Sequence, residues 1–280
     1  MNSLVSIVMP AYNSERFIGA AIRSVLDQTY RDWELLIVDD CSTDSTREVV
    51  RSFADNRISL LLNSENSGAA MSRNKAIREA KGRWIAFLDS DDLWHPSKLE
   101  MQIGYMEKNG LSFTCTYYCC VDECGIISED VITAPRCIDK KMMYRYCYPG
   151  ALTVVYDSDA VGLVQVCDLR KNNDYAMWLQ IIEREQLICL ESCLAVYRRR
   201  AGSISSGNKV LLLQHHYFLF RRGLQCGRLR SLLYMGRNIF FGIAKKLMCR
   251  KKMDSLTKKA MSSLLHVCTE DVAKGWSCWQ

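Results

Sequence analysis

Several common signatures are missing from this 280-residue chain. No Gly-x-Gly-x-x-Gly follows the first apolar run, which disfavours a dinucleotide-binding dehydrogenase. No Gly-rich loop stands there either, as a nucleotidyltransferase would need; the segment reads PAYNSERF. No uncharged apolar run approaches the roughly 20 residues needed to span a bilayer. The start, MNSLVSIVMPAYN, has no basic region followed by a long apolar stretch, so a secretory signal is not expected. The expected compartment is therefore the cytoplasm, reducing, with the 14 cysteines as buried thiols. No Cys-x-x-Cys pair occurs, and the group Cys115, Cys119, Cys120 and Cys124 fits no usual zinc spacing. Internal repeats and low-complexity segments are absent as well.

Acidic residues are nearly absent from one stretch. Residues 198–260 carry 16 Lys+Arg and a single acid, Asp254, whereas residues 1–197 carry 20 Lys+Arg against 28 Asp+Glu. The formal net charge of +6 hides this split. A split this sharp implies that the two regions face different partners.

What is present begins with apolarity, at 49% of residues, enough for a sizeable core. The first hundred residues alternate short apolar runs with helical patterns. Leu4–Met9, Trp33–Val38, Ile58–Leu62 and Trp84–Leu88 read as buried strands. Helices are expected from Ser14 to about Gln28, after Thr43 or Asp44, over Ala69–Ala80, and from Pro96 to about Lys108. Strands alternating with helices predict an α/β fold with a parallel sheet covered on both faces. Beyond Gly110, Ser112–Val121, Ala151–Tyr156 and Leu187–Tyr197 read as extended, and Asp174–Glu185 as helix. The chain is helical and basic from about Val210.

Ligands of an open parallel sheet bind beyond the carboxyl ends of its strands. Three polar groups fall there: Pro10-Ala11-Tyr12-Asn13, Asp39-Asp40 and Asp89-Ser90-Asp91-Asp92. Three carboxylates within four residues repel unless a cation or donors compensate. Mg²⁺ or Mn²⁺ commonly binds through one or two carboxylates plus substrate phosphate. An acidic turn capping the approach to Pro96 is the bland alternative. A carboxylate of Asp39-Asp40 could accept the N3–H of uracil while Tyr12 stacks on the base, or the pair could only start a turn. Asn66–Asn74 opens a helix with small residues, and helix N-termini favour anions. Arg73 could reach a diphosphate or form a surface ion pair.

Taken in order, VSIVMPAYN, QTYRDWELLIVDDCSTDST, NSGAAMSRNKAI and GRWIAFLDSDDLWHPSKL resemble the family-two inverting glycosyltransferases with the GT-A fold. The match is dense over residues 3–105 and continues to about 205 through DLRKNNDYAMWLQI and LAVYRRRAGSIS. It is similar above all to bacterial enzymes that build surface polysaccharides such as O-antigen, capsule or teichuronic acid. The resemblance implies a GT-A catalytic domain over 1–208, with a nucleotide-binding half (1–110) and an acceptor-binding half (111–208). A basic helical extension (209–280) follows. Pro10, Ala11 and Tyr12 would line the nucleoside pocket, and Asp40 would contact the base, favouring UDP. Asp91 would ligate the divalent cation, Mn²⁺ or Mg²⁺, with Asp89 assisting. Arg73 would lie near the sugar and diphosphate. Asp174 would be the catalytic base, although Asn173 replaces the family's usual acid before it. A helix N-cap is the competing role for Asp174. Arg198-Arg199-Arg200 stands where the family often carries a histidine, with Ser203 and Ser205 in a lid.

The implied activity is transfer of a sugar from a nucleotide diphosphate sugar to a hydroxyl of a glycan or lipid-linked glycan. A nucleotidyltransferase, or a non-catalytic nucleotide- or glycan-binding protein of the same fold, is the alternative. Arg230, Arg237, Lys245 and Lys252 are spaced along one face of a helix expected over 228–252. Leu232, Ile239, Ile243 and Leu247 fall on another face. Such a helix suits an anionic membrane surface, which would place the enzyme peripherally on the inner face of the cytoplasmic membrane; a solvated helix packed on the catalytic domain is the alternative. No nucleic-acid motif accompanies the charge, so nucleic acid is not an expected partner.

Overall fold

The computed structural model describes residues 3–200 and 209–276, without side chains at 209–211, 243–248 and 266–276. The first half is an alternation of strand and helix. β1 (Val5–Ala11) leads through α1 (Ile18–Leu26) to β2 (Trp33–Asp39), and α2 (Thr46–Arg51) leads to β3 (Ile58–Leu62). α3 (Gly68–Glu79) precedes β4 (Trp84–Phe87), and the short β5 (Leu93–Trp94) precedes α4 (Lys98–Asn109). β4 and β3 flank the pair β1–β2, and all four strands run parallel. β1 and β4 are buried along their whole length, which is why VSIVMPA and WIAF show no polar alternation. Gly82 lets the chain enter β4 tight against β1. A Cβ there would lie 2.5 Å from the Leu4 carbonyl oxygen and 2.7 Å from the Ser6 nitrogen.

The second half is mixed. β6 (Phe113–Val121), β7 (Ile127–Ile132), β8 (Cys137–Ile138), α5 (Lys140–Met143), β9 (Val155–Asp157), α6 (Ser158–Val161), α7 (Asn173–Ile181) and β10 (Leu187–Arg198) follow. β9 inserts antiparallel between β4 and β6, and β10 lies parallel to β6. The run expected to be extended from Ala151 instead opens with a 3₁₀ turn at Ala151–Thr153 before β9. That turn lets Trp94 Nε1 donate to the Leu152 carbonyl at 2.8 Å. One core, with α3 and α7, includes Val8, Val38, Phe87, Phe113 and Trp178; another, with α1 and α4, includes Ile7, Ile37, Trp84, Leu99 and Ile103.

The C-terminal region comprises α8 (Lys209–Phe218), a π turn (Leu219–Gly223), α9 (Arg228–Met248), β11 (Arg250–Lys252) and α10 (Ser255–Trp276). It is packed on the rest of the molecule. Met261, Leu264 and Leu265 of α10 cluster with Ala20 of α1 and Leu93. The helix expected over 228–252 ends at Met248, a correction to the sequence reading. Residues Arg250–Lys252 pair antiparallel with β7. Lys252 sits 2.9 Å from Glu129 and 3.6 Å from Asp130, so opposite charge on β7 draws the basic segment into the sheet. The expected polar loop with Ser203 and Ser205 lies outside the described residues, as do the side chains of Ile243, Lys245 and Leu247.

No described cysteine forms a disulfide. Cys115, Cys119, Cys120, Cys189 and Cys249 are buried, as expected, but Cys124 and Cys137 are exposed. Among the described residues no three His, Cys, Asp or Glu side chains converge as a metal site by themselves.

Candidate active site

Three loops at the carboxyl ends of β1, β2 and β4 are laced together by hydrogen bonds. Asn13 Oδ1 accepts from the Thr43 nitrogen at 2.9 Å, and Ser42 Oγ accepts from the Asn13 nitrogen at 3.0 Å. The Ser14 and Ser90 hydroxyls meet at 2.8 Å. The β-strand register puts Pro10 opposite Val38 and Ala11 opposite Asp39. Pro10 and Ala11 are buried in this rim, while Tyr12 projects, 49% exposed.

The two neighbouring aspartates after β2 part ways. Asp39 is buried and ion-paired to Arg47 Nε at 2.6 Å. Asp40 turns to the start of α3. Its Oδ1 accepts from Asn63 Nδ2 and the Ser67 nitrogen, both at 2.8 Å, and its Oδ2 accepts from the Gly68 nitrogen at 2.7 Å. Gly68 has φ +83°, a conformation glycine adopts without strain. A carboxylate offers about four lone-pair positions, so one on Oδ2 is left beyond these bonds.

Arg73 on α3 is the hub. It is 7% exposed. Its Nη2 ion-pairs with Asp89 and its Nη1 donates to Asn173 Oδ1 at 2.8 Å. Nε is buried with no hydrogen-bond partner among the described residues. Burial opposes its charge, but Asp89 and Asp174 outweigh that and raise its pKa. One guanidinium thus joins α3, the end of β4 and the start of α7.

Asp174 is the second residue of α7. The N-cap is Asn172, in the left-handed region with φ 59°. Asp174 Oδ1 accepts from the next backbone nitrogen, Tyr175, at 2.8 Å. The N-cap position is thus held by Asn172, whose side chain makes no capping hydrogen bond, and Asp174 lies two residues into the first turn. Burial pushes the Asp174 carboxyl above its ordinary range, and Arg73 partly restrains the shift. Asn173, unexpected at its position, is buried and holds Arg73 while its own amide donates to the Leu169 carbonyl at 3.2 Å.

The acidic cluster divides its members among separate tasks. Asp89 faces Arg73. Asp91 lies 2.6 Å from Arg200 Nε, and burial followed by the charge of Asp89 raises its pKa against the pull of Arg200. Asp92 is buried; its Oδ1 accepts from the Arg198 nitrogen at 2.9 Å. Burial first, then Asp91 and Asp89, push its pKa well up. Asp92 therefore fastens the end of β10.

Sequence reasoning missed Phe17 and the partners of Arg198 and Arg200. Phe17 is half-buried before α1, with the guanidiniums of Arg198 and Arg200 5.0 and 5.4 Å from its ring centre. Arg198 Nε also donates to the Asp91 carbonyl at 3.0 Å. These residues are separated by roughly a hundred or more positions, and no local periodicity signals their meeting.

Residues 6–140 match the profile described as Glycosyl transferase family 2. Over 244 residues the chain is 41% identical to the UDP-Glc:alpha-D-GlcNAc-diphosphoundecaprenol beta-1,3-glucosyltransferase WfgD of Escherichia coli. That alignment covers 86% of this chain and 94% of the relative. The chain belongs to glycosyl transferase family 2. This glycosyltransferase is also 38% identical over 221 residues to the putative teichuronic acid biosynthesis glycosyltransferase TuaG of Bacillus subtilis (strain 168). There, 78% of this chain and 87% of the relative are covered. Its fold matches that of S. aureus TarS 1-349, solved in complex with UDP-GlcNAc, at a TM-score of 0.66 and 18% identity. The superposition covers 84% of the enzyme and 72% of TarS. The enzyme has the GT-A fold expected from its motifs, with a helical C-terminal region.

Proposed function

We propose that this glycosyltransferase moves a sugar from a UDP-sugar to a hydroxyl of a lipid-linked glycan during surface-polysaccharide synthesis, with inversion at the anomeric carbon. The observation that carries this reading is Arg73. Its bonds to Asp89 and Asn173 bring the nucleotide side of the molecule against the start of α7, where Asp174 carries a raised pKa. WfgD, at 41% identity, is named for a UDP-glucose donor and a diphosphoundecaprenol-linked acceptor, which supports both choices of substrate. Residues 1–208 then serve as the catalytic domain, with the donor held by 1–110 and the acceptor by 111–208; 209–280 form the helical extension. The enzyme would work peripherally at the inner face of the cytoplasmic membrane.

Pro10, Ala11 and Tyr12 form the nucleoside wall in this reading, with the Tyr12 ring available for stacking on uracil. The remaining lone pair of Asp40 meets the base N3–H. Arg73 keeps its buried Nε–H for a donor oxygen. The Asp174 carboxylate accepts the proton of the acceptor hydroxyl as that oxygen bonds to the anomeric carbon. The bond from that carbon to the diphosphate breaks on the opposite face, and the nucleoside diphosphate departs. General-base assistance of this kind is typically worth about 10²–10⁴-fold.

Asp91 and Asp89 suit Mn²⁺ or Mg²⁺. They are hard oxygen donors at the mouth of the site, and two carboxylates completed by substrate phosphate are the usual set for such ions. A bound ion would supply positive charge opposite the departing diphosphate. Arg200, already on Asp91, is a second cation on that side. The test is a donor screen by mass spectrometry with Mn²⁺ or Mg²⁺, run beside Asp91→Asn and Asp174→Asn. Product is expected from the parent enzyme and severely reduced from both variants; undiminished transfer by both would refute the mechanism.

A further inference from the structure

One side of α9 presents an apolar stripe to solvent. Leu229, Leu232, Leu233 and Phe240 are 80%, 49%, 70% and 68% exposed. Together with Gly236 they recur three or four residues apart, which puts them on a single helix face. The opposite side of α9 is already seated. Ser231 and Asn238 are buried there, and Asn238 Nδ2 donates to the Tyr175 hydroxyl at 2.7 Å. The Tyr234 ring packs 5.3 Å from that of Tyr144 and 5.1 Å from that of Phe220. The helix therefore cannot roll to hide its stripe without surrendering this packing. α8, packed against α9, also exposes Leu212 and Leu213, at 44% and 42%.

Positive charge borders the stripe. Arg228, Arg230 and Arg237 are exposed, and no ion pair engages them among the described residues. Arg230 and Arg237 also border a cavity of about 870 Å³ that Lys140 and Lys141 share with Asp139 and Glu183, so the unopposed charge lies on α9 and not in the cavity. Leu232 was expected to share a face with Ile239; it points outward with the stripe, while Ile239 is half-buried. Scattered exposed leucines are ordinary, but a continuous apolar stripe edged by cations is an interaction surface.

We propose that α9 is an interfacial helix: Leu229, Leu232, Leu233 and Phe240 enter the outer layer of an anionic bilayer, while Arg228, Arg230 and Arg237 engage lipid phosphates. The basic excess of residues 198–260, with Asp254 as their only acid, complements an anionic surface. Pairing of two copies through this face would bring like charges together. The inference deepens the proposed function, resting on it for the expectation that the acceptor is lipid-linked.

Flotation with lipid vesicles tests it. The full chain is expected to float with vesicles of phosphatidylcholine containing about one-third phosphatidylglycerol, less well in high salt, and not with pure phosphatidylcholine. The variant Leu229→Ser/Leu233→Ser/Phe240→Ser is expected to partition at least ten-fold more weakly, since each side chain leaves an apolar environment. Arg228→Gln/Arg230→Gln/Arg237→Gln is expected to lose most of the salt sensitivity. All six positions are exposed, so the circular dichroism and melting temperature should match the parent. Undiminished flotation by the apolar variant overturns the proposal. So does a parent enzyme that ignores the anionic vesicles but forms a dimer, by analytical ultracentrifugation, that the apolar variant abolishes. Asp91→Asn separates the two readings: it should float normally while losing transfer. Normal transfer by that variant would sink the proposed metal role and leave the flotation result standing.

Discussion

Replacing Lys98 by methionine removes a charge carrier from the interior beneath the acidic loop. Lys98 is fully buried at the start of α4. Its Nζ donates to Gln102 Oε1 at 2.8 Å and lies 4.2 Å from the centre of the Trp94 ring. No carboxylate pairs with it among the described residues. Burial accordingly lowers its pKa from 10.5 to about 7. In the unfolded chain the amine regains its ordinary value, so between pH 7 and pH 10.5 the unfolded state binds more protons. The contribution of Lys98 to stability is thus greatest above its unfolded pKa. It declines as pH falls toward the folded value and levels off below it. The linkage slope approaches about 1.4 kcal/mol per pH unit inside this window, so from pH 9 to pH 7 the enzyme loses about 2 kcal/mol through this group alone. Urea unfolding of the parent and Lys98→Met at both pH values, under reducing conditions, isolates the effect as a double difference. Gln102 Oε1 loses a donor in the variant, a cost of about 1–3 kcal/mol. That cost is common to both pH values and cancels. An identical pH slope in parent and variant would refute the account of Lys98 as a buried, depressed amine.

Two more predictions concern the hub. Arg73→Met strips Asp89 and the Asn173 carbonyl of their donor; a stability loss of about 1–3 kcal/mol is expected by thermal unfolding. Transfer should also fall in Arg73→Lys, whose ammonium cannot reproduce the forked contact; parental rates in that variant would argue against bidentate bridging. If Asp174 is the base proposed above, its raised pKa means that the rate should decline as pH falls through a value above the ordinary carboxylate range near 4. A pH–rate profile for saturated substrate checks this, and a flat profile down to about pH 4 would remove Asp174 as the base.

The legible part of this protein was local in origin. WIAFL and LLIVD are apolar runs long enough only for strands, and their burial on both faces is what an all-parallel centre requires. The position of Asp89-Ser90-Asp91-Asp92 just past such a strand was legible for the same reason. The tyrosine-rich run after Gly110 gave its strand, β6, but not its neighbours. β9 is three residues long and β11 is a basic triplet, so neither carries the alternation by which strands are read.

The amino-acid order by itself determined the strand-and-helix alternation, the family motifs and the place of the carboxylates. Tertiary structure decided what each carboxylate does. Asp40 fastens α3, Asp91 meets Arg200, and Asp92 holds the backbone of Arg198. It also decided that Asn172, not Asp174, occupies the N-cap position of α7, and that the leucines of α9 face outward. The physical reason is range. Helical and strand periodicity report which side of an element is apolar, whereas ion pairs and orphaned side chains depend on which distant element arrives opposite that side.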